Sequence, residues 1–226
     1  MRHRSKRYRK ELEGLKRETV SLAEAVKQIK LFSPTKFDQS VECVVHLGID
    51  PRQAEQLVRG SLSLPHGIGK QKRVIAFCEE SEAEAAKKAG AIEAGVDELI
   101  SKVNGGWMDF DVAVASTKVM GKVGKLGRIL GPQGKMPSPK NGTVTGDVVT
   151  AVREFTAGKI EFRNDAGGNV HVVVGKHSFD EKQLVENTEA FLNHIKRIRP
   201  VSSKGTYLKN VVLSTTMSPG VAVAVS

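Results

Sequence analysis

The chain has 226 residues, 39% of them hydrophobic and 27% charged, enough for one large domain or two small ones around a real core. A formal net charge of +10 favours a polyanionic partner, nucleic acid before membrane, and no apolar run reaches the ~20 residues that span a bilayer. The opening residues, MRHRSKRYRKELEGLKR, lack the apolar core of a signal peptide, and the net charge is +5 over residues 1–67, +3 over 68–159 and +2 over 160–226, so the partner is expected to meet patches on folded surfaces.

The N-terminal arm, with Tyr8 among its cations, reads as partly helical and suited to phosphate contact. Ser21-Leu22-Ala23-Glu24 is a capping box opening a helix whose apolar face is Leu22, Ala25, Val26 and Ile29, stopped before Pro34. VECVVHL (41–47) alternates Val41, Cys43, Val45 and Leu47 and reads as a strand. DPRQAEQLVRG (50–60) reads as a helix, with Pro51 in its first turn and Gly60 past its end. KRVIAFC is a short buried strand; Ser81-Glu82-Ala83-Glu84 caps a helix that Gly90 ends; DELISKVNGG is another helix, closed at Gly105. FDVAVAS (110–116) is a strand, a helix follows near 117–126, and DVVTAVREF is one more helix. This alternation predicts a small α/β domain with a parallel sheet.

KIEFRNDAGGNVHVVV looks like two strands joined by a turn at 165–168. Ser178-Phe179-Asp180-Glu181 is a third capping box, opening a helix with Leu184, Thr188, Phe191, Ile195 and Ile198 on one side and ending at Pro200; NVVLSTTM is a last strand. Both chain ends thus read as α+β and the middle as α/β, which predicts an insertion: residues 1–67 and 160–226 as one discontinuous domain, 68–159 as the inserted one, with Gly67, Gly69 and Gly158 as hinges.

Catalytic signatures are missing. The glycine-rich basic loop GRILGPQGKMPSPKNG (127–142) fails as a phosphate-binding P-loop, because Ile129 stands where its opening glycine and Met136 where its metal-binding hydroxyl would be. Gly69-Lys70, Gly121-Lys122 and Gly158-Lys159 are followed by Gln71, Val123 and Ile160, and Gly67-Ile68-Gly69 continues into no dinucleotide fingerprint. There is no G-x-S-x-G, H-E-x-x-H or S-x-x-K set. His3, His46, His66, His171, His177 and His194 are scattered; Asp109 and Asp111 suit capping or solvation; Cys43 and Cys78, in apolar runs, read as buried thiols of a reducing cytoplasm, and no spacing suggests a metal. No cofactor is implied.

Binding signals are stronger. Lys118, Lys122, Lys125 and Arg128 share one helical face, and no Asp or Glu occurs from Val112 to Gly146, so they are candidates to face phosphates. VMGKVGKLGRI half-matches the G-x-x-G loop of KH domains, but the α/β rhythm around it disagrees. Aromatic content of 5% and a missing RRM signature exclude base stacking as the main mode, leaving shape, phosphates and hydroxyls, with Phe37 and Met217 as apolar contacts. A Rossmann-like enzyme using the middle domain and a KH-like single-strand binder are the rival readings. Substrate preference among folded RNA, nucleotide and unstructured oligonucleotide separates them.

Five stretches in order, SPTKFDQSVECVVHLGIDPRQAEQLVRGSLSLPHGIGK, GWMDFDVAVAS, LGRILGPQGKMPSPKNGTVT, GKIEFRNDAGGNVHVVVGK and STTMSPGVAV, resemble the bacterial-type ribosomal protein L-one family, proteins of the mobile stalk beside the ribosomal exit site. The resemblance implies an α+β discontinuous domain formed by both chain ends with an inserted Rossmann-like three-layer α/β domain. It implies a structural, non-enzymatic constituent of the large ribosomal subunit, cytoplasmic and ribosome-bound, bacterial or plastid. Its partners would be the stalk of 23S rRNA, deacylated tRNA leaving the exit site, and the protein's own operon mRNA, whose translation it would repress. The site carried over comprises Lys36, Phe37, Ser40 and Glu42, Arg163, Asn164 and His171, Lys176, and Thr215, Thr216, Met217 and Ser218. Ser218 departs from the family's usual glycine and is expected to crowd a ribose there; Ser138 replaces a common asparagine before Pro139.

Overall fold

The computed structural model describes residues 4–15, 18–33 and 35–224; His3, Lys16, Arg17 and the helix-stopping Pro34 lie outside the described residues. Helix α1 (Lys6–Glu13) starts on Ser5, whose hydroxyl accepts the Tyr8 N–H. Helix α2 (Leu22–Leu31) has the expected capping box, with reciprocal bonds between Ser21 and Glu24, and buries Ala25, Val26 and Ile29. Strand β1 (Ser40–Leu47) buries Val41, Cys43, Val45 and Leu47 as the alternation predicts.

The helix expected over 50–60 does not form. Residues 54–56 make a single 3₁₀ turn, and Arg59–Leu62 is strand β2. Pro51 and Gly60 imitate helix ends, but the backbone groups are taken by other partners. Asp50 N–H donates to Gln56 Oε1 (2.8 Å), and Val58 N–H donates to Asn164 Oδ1 (2.9 Å), 106 residues away. Gly60 instead allows close packing, since a Cβ there would lie 3.2 Å from the Phe162 ring. Tertiary bonds override a weak local propensity.

The middle of the chain runs β3 (Val74–Phe77), α3 (Glu80–Lys88), β4 (Ala91–Gly95), α4 (Asp97–Asn104), β5 (Val112–Ser116), α5 (Met120–Val123), α6 (Gly127–Leu130), β6 (Val144–Thr145) and α7 (Val148–Thr156). Helix α3 starts from Glu79, so Ser81 lies inside it rather than capping it. The helix expected near 117–126 is a broken spiral: α5, a 3₁₀ turn at 124–126 and α6, with the changes at glycines 124 and 127. Strand β4, AIEAG, was not expected; only Ile92 in it favours a strand.

Strands β7 (Ile160–Arg163) and β8 (Asn169–Lys176), helix α8 (Glu181–Arg197) and strands β9 (Leu208–Thr215) and β10 (Val221–Val223) complete the chain. Helix α8 buries Leu184, Thr188, Phe191 and Ile195 as predicted, while Ile198, expected on the same side, is the half-buried residue past its end. Its N-cap is Asp180, not Ser178; Ser178 instead gives its N–H and hydroxyl to Asp38.

Two compact units result, one of residues 1–69 with 161–226 and one of 70–160. In the first, an antiparallel sheet ordered β10-β9-β1-β8 has α2 and α8 on one face. Its other face carries Ser40, Glu42, Val44 and His46 of β1, all partly exposed. Strand β7 leaves β8 after a single bridge, Asn164–Val170, to pair with β2, so the expected two-strand hairpin is only a turn. The second unit has a parallel sheet ordered β4-β3-β5-β6. Val74 and Ala76 pack with Ala86, Val152 and Phe155 on one side, while Ile75 and Phe77 pack with Leu99, Val103 and Leu126 on the other. A sheet buried on both faces between helices is the three-layer α/β architecture that the resemblance implies, and its parallel strands are what the alternation predicts.

Candidate nucleic-acid interface

Three segments far apart in sequence meet where β1 begins, β8 ends and β9 ends. Ser40 is the register partner of Lys176, and Val41 of Thr215. Lys176 Nζ donates to Ser40 Oγ (3.0 Å), Ser40 N–H to Thr216 Oγ1 (3.2 Å), and Thr216 N–H to Ser40 O (3.1 Å). Phe37 and Met217 stand 51% and 49% exposed, and Lys36 and Thr216 are exposed. Large apolar side chains left half in water beside cations and hydroxyls suit packing on a ribose or base.

A buried amide supports them. Gln39, 4% exposed, accepts at Oε1 the Thr215 hydroxyl (2.9 Å) and the Met217 N–H (3.0 Å). Thr215 is therefore buried and committed, and acts by positioning its neighbours. Ser218 does not project outward: its hydroxyl accepts Thr215 N–H (3.0 Å) and donates to Pro219 O (3.0 Å), bracing the turn. Arg7 of α1 donates to the Met217 carbonyl (3.2 Å), bringing the N-terminal arm to the same place. Sequence reasoning missed both Gln39 and Arg7, because nothing near either in sequence signals a partner 176 or 210 residues away.

Of the other expected residues, Glu42 and His171 lie on the open face, while Arg163 and Asn164 lie where β7 ends, outside the four-stranded sheet. Glu42 is opposite Val173 and Ser214, and His171 opposite Val44. His171 Nε2 sits 3.7 Å from Asp165 Oδ2. Asp165 organises the turn, accepting the N–H of Asn169 (2.7 Å) and of Gly167 (2.8 Å), and these bonds, the Asn169 backbone foremost, hold its carboxyl below the usual range. Arg163 is exposed, but Asn164 is buried and spends its amide on Val58 N–H and Asp165 O, which makes it a fork-point brace rather than a free contact.

In the second unit the four stripe cations are exposed but not equivalent. Lys118 pairs with Glu79 (3.2 Å) and Lys122 with Asp97 (3.0 Å), whereas Lys125 and Arg128 face solvent on the broken spiral. Lys135, of the glycine-rich loop, donates to Met108 O (3.1 Å) and lies over the Phe110 ring. Ser138 N–H donates to Thr143 Oγ1 (2.8 Å), pinning the loop's end. Gly67 and Gly69 have φ of 64° and 70°, and Gly158, at 108°, ends α7. The 66–67 segment is clasped by buried Asn187, which accepts His66 N–H (3.1 Å) and donates to Gly67 O (3.0 Å) and Val174 O (2.8 Å). A Cβ on Gly69 would meet Phe179 at 2.8 Å, so this glycine serves close packing within its unit. Among the described residues no His, Cys, Asp and Glu are grouped to hold a metal ion.

Comparison with known proteins matches residues 26–219 to the family described as "Ribosomal protein L1p/L10e family". The "Large ribosomal subunit protein uL1" of Nocardioides sp. is 53% identical over 221 residues, covering 97% of this chain and 92% of that protein. The protein of the same name from Beutenbergia cavernae is 54% identical over 218 residues (96% and 92%), and that from Chlorobaculum tepidum 50% identical over 202 residues (89% and 87%).

Proposed function

The chain belongs to the ribosomal protein L1p/L10e family, and from that premise we propose that the open sheet face of its discontinuous unit grips the stalk of 23S rRNA in the large ribosomal subunit. It is a large-subunit ribosomal protein, and rRNA is its natural partner. The observation that carries the finer reading is the convergence of Ser40, Lys176 and Thr216 with the half-exposed Phe37 and Met217. Lys36, Lys176 and Arg163 contact phosphates and set the register. Glu42 and the Ser40 and Thr216 oxygens read 2′-hydroxyls and base edges, and Phe37 and Met217 pack on sugar or base. Folded RNA is recognised this way, by shape and backbone, and the low aromatic content suits it.

The same surface binds a stalk-like element in the protein's own operon mRNA, so free protein left unclaimed by rRNA represses its own translation. In the second unit, Lys125 and Arg128 meet deacylated tRNA as it leaves the exit site; Lys118 and Lys122 must first release Glu79 and Asp97. The chain acts without catalysis: Lys135, which a nucleotide loop would aim at phosphates, is turned onto Met108 and Phe110. None of the helices among the described residues is long and apolar enough to cross a membrane.

Competition binding tests the core of this reading. Labelled stalk RNA should be displaced by the operon mRNA leader and not by an unrelated duplex of equal length. Thr216→Val, which removes a hydroxyl offered to the RNA and the acceptor of Ser40 N–H, should weaken stalk binding by about 0.5–1.5 kcal/mol. Equal binding to stalk RNA and to the unrelated duplex rejects the specific site.

A further inference from the structure

The loop between α8 and β9 lies at the Leu47 end of the antiparallel sheet, opposite Met217, and it is built to be rigid. Arg199 donates to the carbonyls of Ser203 (3.0 Å) and Gly205 (2.9 Å) and lies over the Tyr207 ring. Buried Ser203 donates its hydroxyl to Gly48 O (3.0 Å), and Gly48 N–H donates to Tyr207 O (2.6 Å). The two chains run so close that a Cβ on Gly48 would strike the Thr206 carbonyl.

This rigid loop leaves Val201 fully exposed at its tip. Arg197 in the last turn of α8, Lys204 in the loop and Lys209 at the start of β9 are exposed, and among the described residues none of the three has a carboxylate at ion-pair distance. From Ala190 to the end of the chain there is no Asp or Glu. A cation in the last turn of a helix is favoured by the helix dipole, which accounts for Arg197; it does not account for Lys204 or Lys209. The one acid of the neighbouring turn, Asp165, is occupied by Asn169 and Gly167.

We propose that this loop is a second RNA-contact surface, where Arg197, Lys204 and Lys209 meet the phosphate backbone and Val201 packs against a ribose or an unstacked base. The inference rests on the rRNA reading above and extends its footprint beyond the residues assigned there. Strand β9 leads from this loop to Thr215 and, at ~3.3 Å per residue, its eight residues set the two contacts roughly 25 Å apart. RNA laid along the open face reaches both ends.

The buried Cys43 and Cys78 make a site-directed test simple, since an introduced surface cysteine carries the accessible thiol. Lys204→Cys and Ser214→Cys, each bearing an iron–EDTA chelate, are bound to a transcript of the large-subunit rRNA stalk, and backbone cleavage is mapped. Cuts from position 204 at nucleotides distinct from those cut from 214 are the expected result. Cuts from 214 with none from 204 overturn this inference alone; no stalk binding by the wild-type protein overturns the rRNA reading and this inference with it. Arg197→Ala/Lys204→Ala/Lys209→Ala supplies the second measurement. It should still unfold cooperatively, with only the small loss of midpoint expected from removing a cation at a helix C-terminus, lose about tenfold or more in affinity, and reduce the slope of log K against log salt by roughly 2 to 3. An unchanged slope overturns the proposal.

Discussion

The Lys176 ammonium and the Ser40 hydroxyl face each other across β1 and β8, 3.0 Å apart, though 136 residues separate them in sequence. An ammonium has three donors, so the bond to Ser40 orients Lys176 and leaves donors for an anion. Lys176→Gln should therefore lower the slope of log K against log salt for stalk RNA by about 0.7–0.9, one phosphate contact. Weaker binding with an unaltered slope, measured between low and physiological salt, would show that Lys176 supports Ser40 without touching phosphate.

Gln39 should behave as a positioning residue. Gln39→Leu strands the Thr215 hydroxyl and the Met217 N–H, with a stability cost on the order of 1–3 kcal/mol by urea unfolding. It also unpins Met217, so stalk affinity should fall at temperatures where the variant is fully folded. Wild-type affinity under those conditions would reduce Gln39 to a purely structural role.

Acid should loosen the turn at 165–168. The backbone N–H of Asn169, with the Asn169 side chain and Gly167 N–H, holds the Asp165 carboxyl below its ordinary value. A depressed folded pKa contributes stability above the unfolded value of about 3.9, and that contribution is lost as pH falls through the folded value. Urea midpoints should thus drop below about pH 4, and Asp165→Asn should drop less steeply over the same range. Parallel pH profiles for the two proteins would refute the assignment.

Excision tests the discontinuous domain. Removing residues 70–159 and joining Gly69 to Ile160 through a short Gly/Ser linker keeps β2, β7 and the antiparallel sheet whole. The shortened chain should unfold cooperatively and still prefer stalk RNA over an unrelated duplex. A chain that folds but has lost this preference would move the specific site to the second unit.

Buried Asn187 illustrates what was hidden from the sequence: mid-helix it reads as one polar residue among many, yet it clasps Gly67 and Val174 to α8. Gly67 and Gly69 were legible as hinge candidates at a domain junction, but not as parts of a clasped, close-packed segment. The site was legible chiefly through motif resemblance. Periodicity alone offered Phe37 and Met217 as apolar exceptions and could not bring them together.

What the sequence by itself determined is local. The alternation of β1, the apolar stripe of α8, the capping box at Ser21, the α/β rhythm of residues 70–160 and the faulty P-loop spelling all reside in residues a few positions apart. Tertiary structure alone decided the rest. It turned 50–60 from a helix into a turn and a strand through Asn164, and parted β7 from β8. It gave Lys118 and Lys122 to Glu79 and Asp97, and it set Gln39 beneath Met217. The physical reason is that propensity differences among ordinary residues stay below about 1 kcal/mol each and a cap typically contributes ~1 kcal/mol. A buried donor or acceptor left unpaired costs on the order of 1–3 kcal/mol, so when a distant partner arrives its demand overrides the local preference.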